Sequence, residues 1–161
     1  MKNIFILGVV SILFGCQPKA DDHSKELQNQ INNLKSELSE TYKPGFGEFM
    51  GNIQVHHSKL WFAGEYENWK LADFEINEIK ENLENIQKYE TDRSESEMIP
   101  MIKPALDSVS DAIQKQNLLK FKSSFNLLTN TCVNCHITTK HEFIQIQVPD
   151  MHIFSNQKFK M

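Results

Sequence analysis

Residues 118–136 read Leu118-Leu119-Lys120-Phe121-Lys122-Ser123-Ser124-Phe125-Asn126-Leu127-Leu128-Thr129-Asn130-Thr131-Cys132-Val133-Asn134-Cys135-His136. Leu118, Phe121, Phe125 and Leu128 recur at steps of three and four, and the same spacing runs on through Cys132 to Cys135. That period marks one face of an α-helix, so a helix is predicted whose inward stripe ends in two thiols. The pattern recurs upstream, where Ala72, Ile76, Ile79, Leu83 and Ile86 step by 4, 3, 4 and 3 and Asn68 is placed to cap a helix from Trp69 to Tyr89. Pro104 suits the first turn of another helix, because its missing N–H has no partner there anyway. Ala105, Leu106, Val109, Ala112 and Ile113 form that helix's inner face as far as Gln116. A fourth helix is predicted from Pro44 and Gly45 onward, with Phe46, Met50, Ile53, His57 and Leu60 on one stripe and Gly64 as its stop. Four amphipathic helices with short connections make an all-α four-helix bundle over residues 44–142.

Outside the bundle the chain changes character. Residues 90–100 are polar and end in Pro100, the longest internal loop. Leu27, Ile31, Leu34 and Leu38 step by 4, 3 and 4 among Gln, Asn, Lys and Glu, a heptad seam too short for a sustained coiled coil. This predicts a helical stalk within residues 16–43 and leaves self-association into a homodimer open. Residues 143–161 alternate Ile144, Ile146 and Val148 before Pro149, which reads as an extended tail laid over the bundle or loose. At the other end, Met1-Lys2-Asn3 is a short positive start and residues 4–14 are an apolar run. Such a run matches a signal-peptide core and falls short of the ~20 residues that span a bilayer, so residues 1–15 are expected to direct export. The run closes in Leu13-Phe14-Gly15-Cys16, which resembles the lipobox of bacterial lipoproteins, although Phe14 is bulkier than usual there. The resemblance implies lipidation of Cys16 and an anchored protein on the periplasmic side or at the outer membrane. A plain secretory peptide cut elsewhere would leave Cys16 as an odd thiol.

Length and composition bound the rest. A chain of 161 residues with 40% hydrophobic and 24% charged residues has room for one compact domain and is neither disordered nor polytopic. Seventeen Lys plus Arg stand against 21 Asp plus Glu, for a net charge of −4, and Arg93 is the one Arg. Nucleic acid is therefore not an expected partner, since it calls for a basic surface. With 6 Gly and 5 Pro there are too few turn formers for a many-stranded sandwich.

Cys132-Val133-Asn134-Cys135-His136 is the C-x-x-C-H signature of covalent haem attachment. Two thiols add across the two vinyl groups on one porphyrin edge, and the adjacent imidazole ligates the iron. Export fits this chemistry, because bacterial haem attachment takes place outside the cytoplasmic membrane. Three other readings compete. A thioredoxin-like pair would follow a strand, and a helical pattern precedes Cys132. A zinc site wants four ligands, and no second pair follows Cys132, Cys135 and either His136 or His141. A structural disulfide between Cys132 and Cys135 is the third.

A haem motif near the end of the last helix of a four-helix bundle resembles the cytochrome c′ family, and Glu48-Phe49-Met50-Gly51, with Gly64-Glu65-Tyr66 at its end, looks like that family's first helix. The likeness covers residues 44–141. It implies thioethers at Cys132 and Cys135, His136 as the proximal iron ligand, and a distal face near residues 47–50, where Met50 is the candidate ligand. The family's Arg near the start of that helix, which often contacts a haem propionate, is missing. His56 and His57 lie about two turns from the distal position, at 5.4 Å per turn, and His57 is expected to be a hydrogen-bonded core or boundary residue. Met98, Met101, Met151 and His152 fall in loop or tail, and Trp61, Trp69 and Phe74 are expected to pack on one another or on the porphyrin.

The expected protein is thus a membrane-anchored c-type cytochrome with one covalent haem c, exchanging single electrons with redox proteins of the cell envelope and catalysing no substrate transformation. A five-coordinate haem protein binding NO or CO is the alternative, and a haem-free helical lipoprotein adaptor a second one.

Overall fold

The computed structural model describes residues 20–41 and 44–161. The expected signal peptide and the lipidation site Cys16 lie outside the described residues. Within them the protein is all-α: α1 (Ala20–Thr41), α2 (Phe46–Glu65), α3 (Trp69–Tyr89), a 3₁₀ segment (Ser94–Ile102), α4 (Lys103–Gln114) and α5 (Leu118–Thr138). No helix among the described residues is long and apolar enough to cross a membrane.

The chain divides into two compact units, with α1 in the first. On α1, Leu27, Ile31, Leu34 and Leu38 are 43–70% exposed. The helix is supported along its own length by side-chain bonds four residues apart, Gln28 to Asn32 and Gln30 to Glu26.

In the second unit α2 packs along α3 and α4 along α5, while α3 meets α4 and α2 meets α5. The inward stripes read from the sequence supply the core: Leu60 from α2, Ala72, Ile76 and Ile86 from α3, Val109 and Ala112 from α4, and Phe121, Phe125 and Leu128 from α5 are at most 1% exposed. Each buried Leu, Ile or Phe contributes about 1.5–3 kcal/mol relative to exposure. Asn68 caps α3, its side-chain oxygen accepting from the Leu71 N–H at 3.3 Å.

The helix ends differ from the expected ones. Three helices stop at a residue of positive φ that is not Gly: Glu67 (56°), Gln116 (49°) and Lys140 (62°). At each stop the next N–H reaches back five residues, Asn68 to Ala63, Asn117 to Ala112 and His141 to His136, at 2.8, 3.0 and 2.7 Å. This six-to-one closure satisfies the last carbonyls of a helix. At the first two stops the closing residue also starts the next helix, since Asn117 caps Lys120 as Asn68 caps Leu71. The α2–α3 and α4–α5 turns are tight for that reason, and α4 ends at Gln114, before Gln116.

Gly64 is not the stop of α2. It is buried inside the helix, and a Cβ there would lie 2.1 Å from Phe121 Cζ. The Phe121 ring cannot retreat, because Trp61, Trp69 and Phe125 surround it with centroids 6.2, 6.0 and 5.9 Å away. Gly64 is there to let α2 approach α5. Gly64→Ala is therefore expected to destabilise the fold by about 3 kcal/mol, the upper end for an overpacked core. A urea-unfolding midpoint close to that of the wild type would refute this.

Two further expectations change. Residues 90–100 are not a plain loop, since the 3₁₀ segment begins at Ser94 and buries Ser96, Ile99 and Ile102. The Ser96 hydroxyl donates to the Glu90 carbonyl at 2.6 Å, which lets a polar side chain lie inside. Phe74 is 54% exposed and does not join Trp61 and Trp69. The tail has no regular structure but is docked: Phe159 is 3% exposed, and Val148 and Phe154 pack against the core.

Candidate functional site

Between α2, α3, α5 and the tail lies a cavity of about 470 Å³. Phe46 and Ile53 line it from α2, Ile79 and Leu83 from α3, Leu128 from α5, and Ile144 and Ile146 from the tail. Cys132, Cys135 and His136 open on it from the last turns of α5, and Met50 and His57 from α2. The structure thus brings the three motif residues and both candidate distal residues to one mainly apolar space, of a size that takes a small-molecule ligand. His56 turns away toward α3, its Nδ1 2.7 Å from Glu75 Oε2. Met98, Met101, Met151 and His152 do not line the cavity.

The helical period explains the placement. Cys132 and Cys135 are three residues apart and share a face, and the stripe above them, Phe121, Phe125 and Leu128, is fixed in the core. Both thiols are free. Burial, and then the neighbouring Cys135, push the Cys132 thiol up to about 12, and burial raises Cys135 as well. At neutral pH both stay protonated. A redox-active C-x-x-C pair has a depressed thiol pKa instead, and the element before α5 is a helix. The zinc reading lacks donors too, because among the described residues no three His, Cys, Asp or Glu side chains are grouped closely enough to hold a metal ion.

Hydrogen bonds fix the protons on two histidines. His136 Nδ1 lies 2.9 Å from the Ile144 carbonyl. A carbonyl only accepts, so Nδ1 carries a hydrogen, and Nε2 is the ring nitrogen left to serve as a ligand. His57 Nε2 lies 2.9 Å from Thr129 Oγ1, and that hydroxyl spends its one hydrogen on the Phe125 carbonyl at 2.9 Å. His57 must then donate from Nε2, which has no lone pair for a metal. Burial lowers its pKa to about 4, so the ring is neutral at ordinary pH. The expectation of a hydrogen-bonded core histidine agrees with this geometry.

At the rim stand Arg93, Glu95 and His141. The Arg93 guanidinium sits 5.3 Å from the Phe46 ring centre and pairs with Glu90 at 3.6 Å and Glu95 at 3.3 Å. Arg93 was not singled out from the sequence as a site residue because it lies in a polar stretch; being the one Arg in the chain was its only signal. Ile144 and Ile146 did carry one, in the alternation that puts both on the same face of an extended segment.

No family model, no curated protein and no solved structure matches this chain.

Proposed function

We propose that the second unit is a c-type cytochrome domain, a four-helix bundle of α2–α5 that holds one haem through thioethers to Cys132 and Cys135, with His136 as proximal and Met50 as distal ligand. The observation that carries the reading is the convergence of C-x-x-C-H and Met50 on one apolar cavity. The donor set fits the group: two protonated thiols on one helix face, an imidazole whose Nδ1 is tied to a carbonyl so that Nε2 is left to ligate, and a soft thioether on the facing helix. Arg93 at the rim is the cation placed for a propionate, in the role the missing first-helix Arg would have played.

Bound there, the haem supplies a one-electron Fe(III)/Fe(II) couple. The chain's part is to exclude water with Phe46, Ile79, Leu83 and Leu128, to hold the proton on His136 Nδ1, and to keep His57 neutral behind Thr129. α1 serves as the stalk, with its exposed seam free for a second copy, and lipid on Cys16 holds the protein at the periplasmic side or the outer membrane, where envelope redox proteins are its partners.

Expressed beside haem-attachment machinery, the mature chain is expected to gain one haem mass and a Soret band that stays with the denatured polypeptide. A chain without adduct overturns the reading and leaves the helical adaptor. Labelled palmitate is expected to enter the wild type and not Cys16→Ser; equal labelling would refute the anchor.

A further inference from the structure

We infer that residues 143–161 are a working part of the cofactor site: a strap whose Ile144 carbonyl orients the His136 imidazole and whose buried end at Phe159 keeps that carbonyl in place. The inference rests on the haem reading and names a positioning element within it.

The strap starts where α5 stops. Lys140, with φ at 62°, turns the chain back, and His141 N–H closes on the His136 carbonyl at 2.7 Å. Ile144 N–H then donates to the His141 carbonyl at 2.9 Å, which sets the Ile144 carbonyl 2.9 Å from His136 Nδ1. From there the chain adds Ile144 and Ile146 to the cavity wall. Its far end is pinned on other helices. The Phe159 ring is 5.8 Å from that of Phe62 on α2, and its carbonyl accepts from Asn68 Nδ2 at 3.1 Å. Asn68 is also the cap of α3, so the strap ties the end of α5 to the α2–α3 turn.

The consequence for a metal ligand is direct. An imidazole that donates its second N–H to a carbonyl is held in one tautomer and one ring orientation, and becomes a more basic ligand. Greater basicity favours Fe(III) and lowers the reduction potential.

The test compares the full-length haem-loaded protein with a chain ending at His141 and with Phe159→Ala. Full-length protein is expected to show an exchange-protected His136 Nδ1–H proton by NMR. The chain ending at His141 keeps its haem by mass but loses that resonance, and its midpoint potential rises. In Phe159→Ala exchange of the same proton speeds up by about tenfold or more, because the strap opens more often. A full-length protein without a protected Nδ1–H overturns the inference, whether or not the shortened chain folds. So does a shortened, haem-bearing chain with unchanged potential. Absence of covalent haem from the full-length chain defeats the haem reading itself, and the inference with it.

Discussion

Cys132→Ala/Cys135→Ala is expected to carry no covalent haem, so that acid and acetone strip all Soret absorbance from the polypeptide. Each thioether is one Sγ–C bond to a former vinyl carbon, and among the described residues no other cysteine lies on the cavity. The single variants separate the two bonds. Cys132→Ala or Cys135→Ala keeps one thioether and one vinyl group, so the haem stays attached and the reduced absorption band shifts to the red, as the remaining vinyl group extends the conjugated system. Stability should follow. Without the porphyrin the half-buried Phe46, Ile53 and Ile146 on the cavity lose their apolar partner. Two such side chains left uncovered cost roughly 3 kcal/mol, which thermal unfolding followed by circular dichroism would resolve. A chromophore that survives denaturation in the double variant would place the attachment elsewhere.

The parts of the fold legible in the sequence are those where one period runs unbroken. Ala72 to Ile86 predicts the span of α3, because Ala72, Ile76, Ile79, Leu83 and Ile86 all face inward and Asn68 has the side chain its cap requires. The stops were less legible for a physical reason. A helix can close on a left-handed Glu67, Gln116 or Lys140 when the following residue completes the six-to-one bond, and no residue type announces this as Gly does. Gly64 was misread on the same account, since its role depends on Phe121, which is distant in sequence. The 3₁₀ segment was hidden by its Ser and Glu residues, because Ser96 is tolerated inside only through the Glu90 carbonyl. The site divides likewise. Cys132, Cys135 and His136 lie close in sequence and carry their own spacing, and Ile144 shows in the alternation of its segment, whereas no local pattern discloses the reversal at Lys140 or the place of Arg93 just before the 3₁₀ segment.

Met50→Ala is expected to convert the iron from six- to five-coordinate, to lower the potential and to open the distal side to CO. Met50 and His57 both line the cavity from α2, but they are seven residues apart, about 10.5 Å at 1.5 Å per residue. One iron on the axis of His136 can meet only one of them. His57 is held in place: its Nε2 donates to Thr129, its ring leans on Phe125 at 4.5 Å between centroids, and ligation through Nε2 would break the bond it donates to that buried hydroxyl. Met50 is partly buried and packs against the core without any comparable polar tie. Its thioether is a soft ligand that favours Fe(II), so its removal should make the protein a poorer oxidant. A ligand such as CO must displace the thioether in the wild type, and its apparent affinity is reduced by the fraction of iron with Met50 bound. If the thioether occupies the iron nine-tenths of the time, the variant should bind CO about tenfold more tightly. His57→Gln is the matched control, expected to leave coordination unchanged while weakening the contact with Thr129. Identical optical and EPR spectra in Met50→Ala and the wild type would remove Met50 from the iron. A wild type already five-coordinate would favour the gas-binding reading over electron transfer, and a bis-imidazole spectrum would put His57 on the iron in place of Met50.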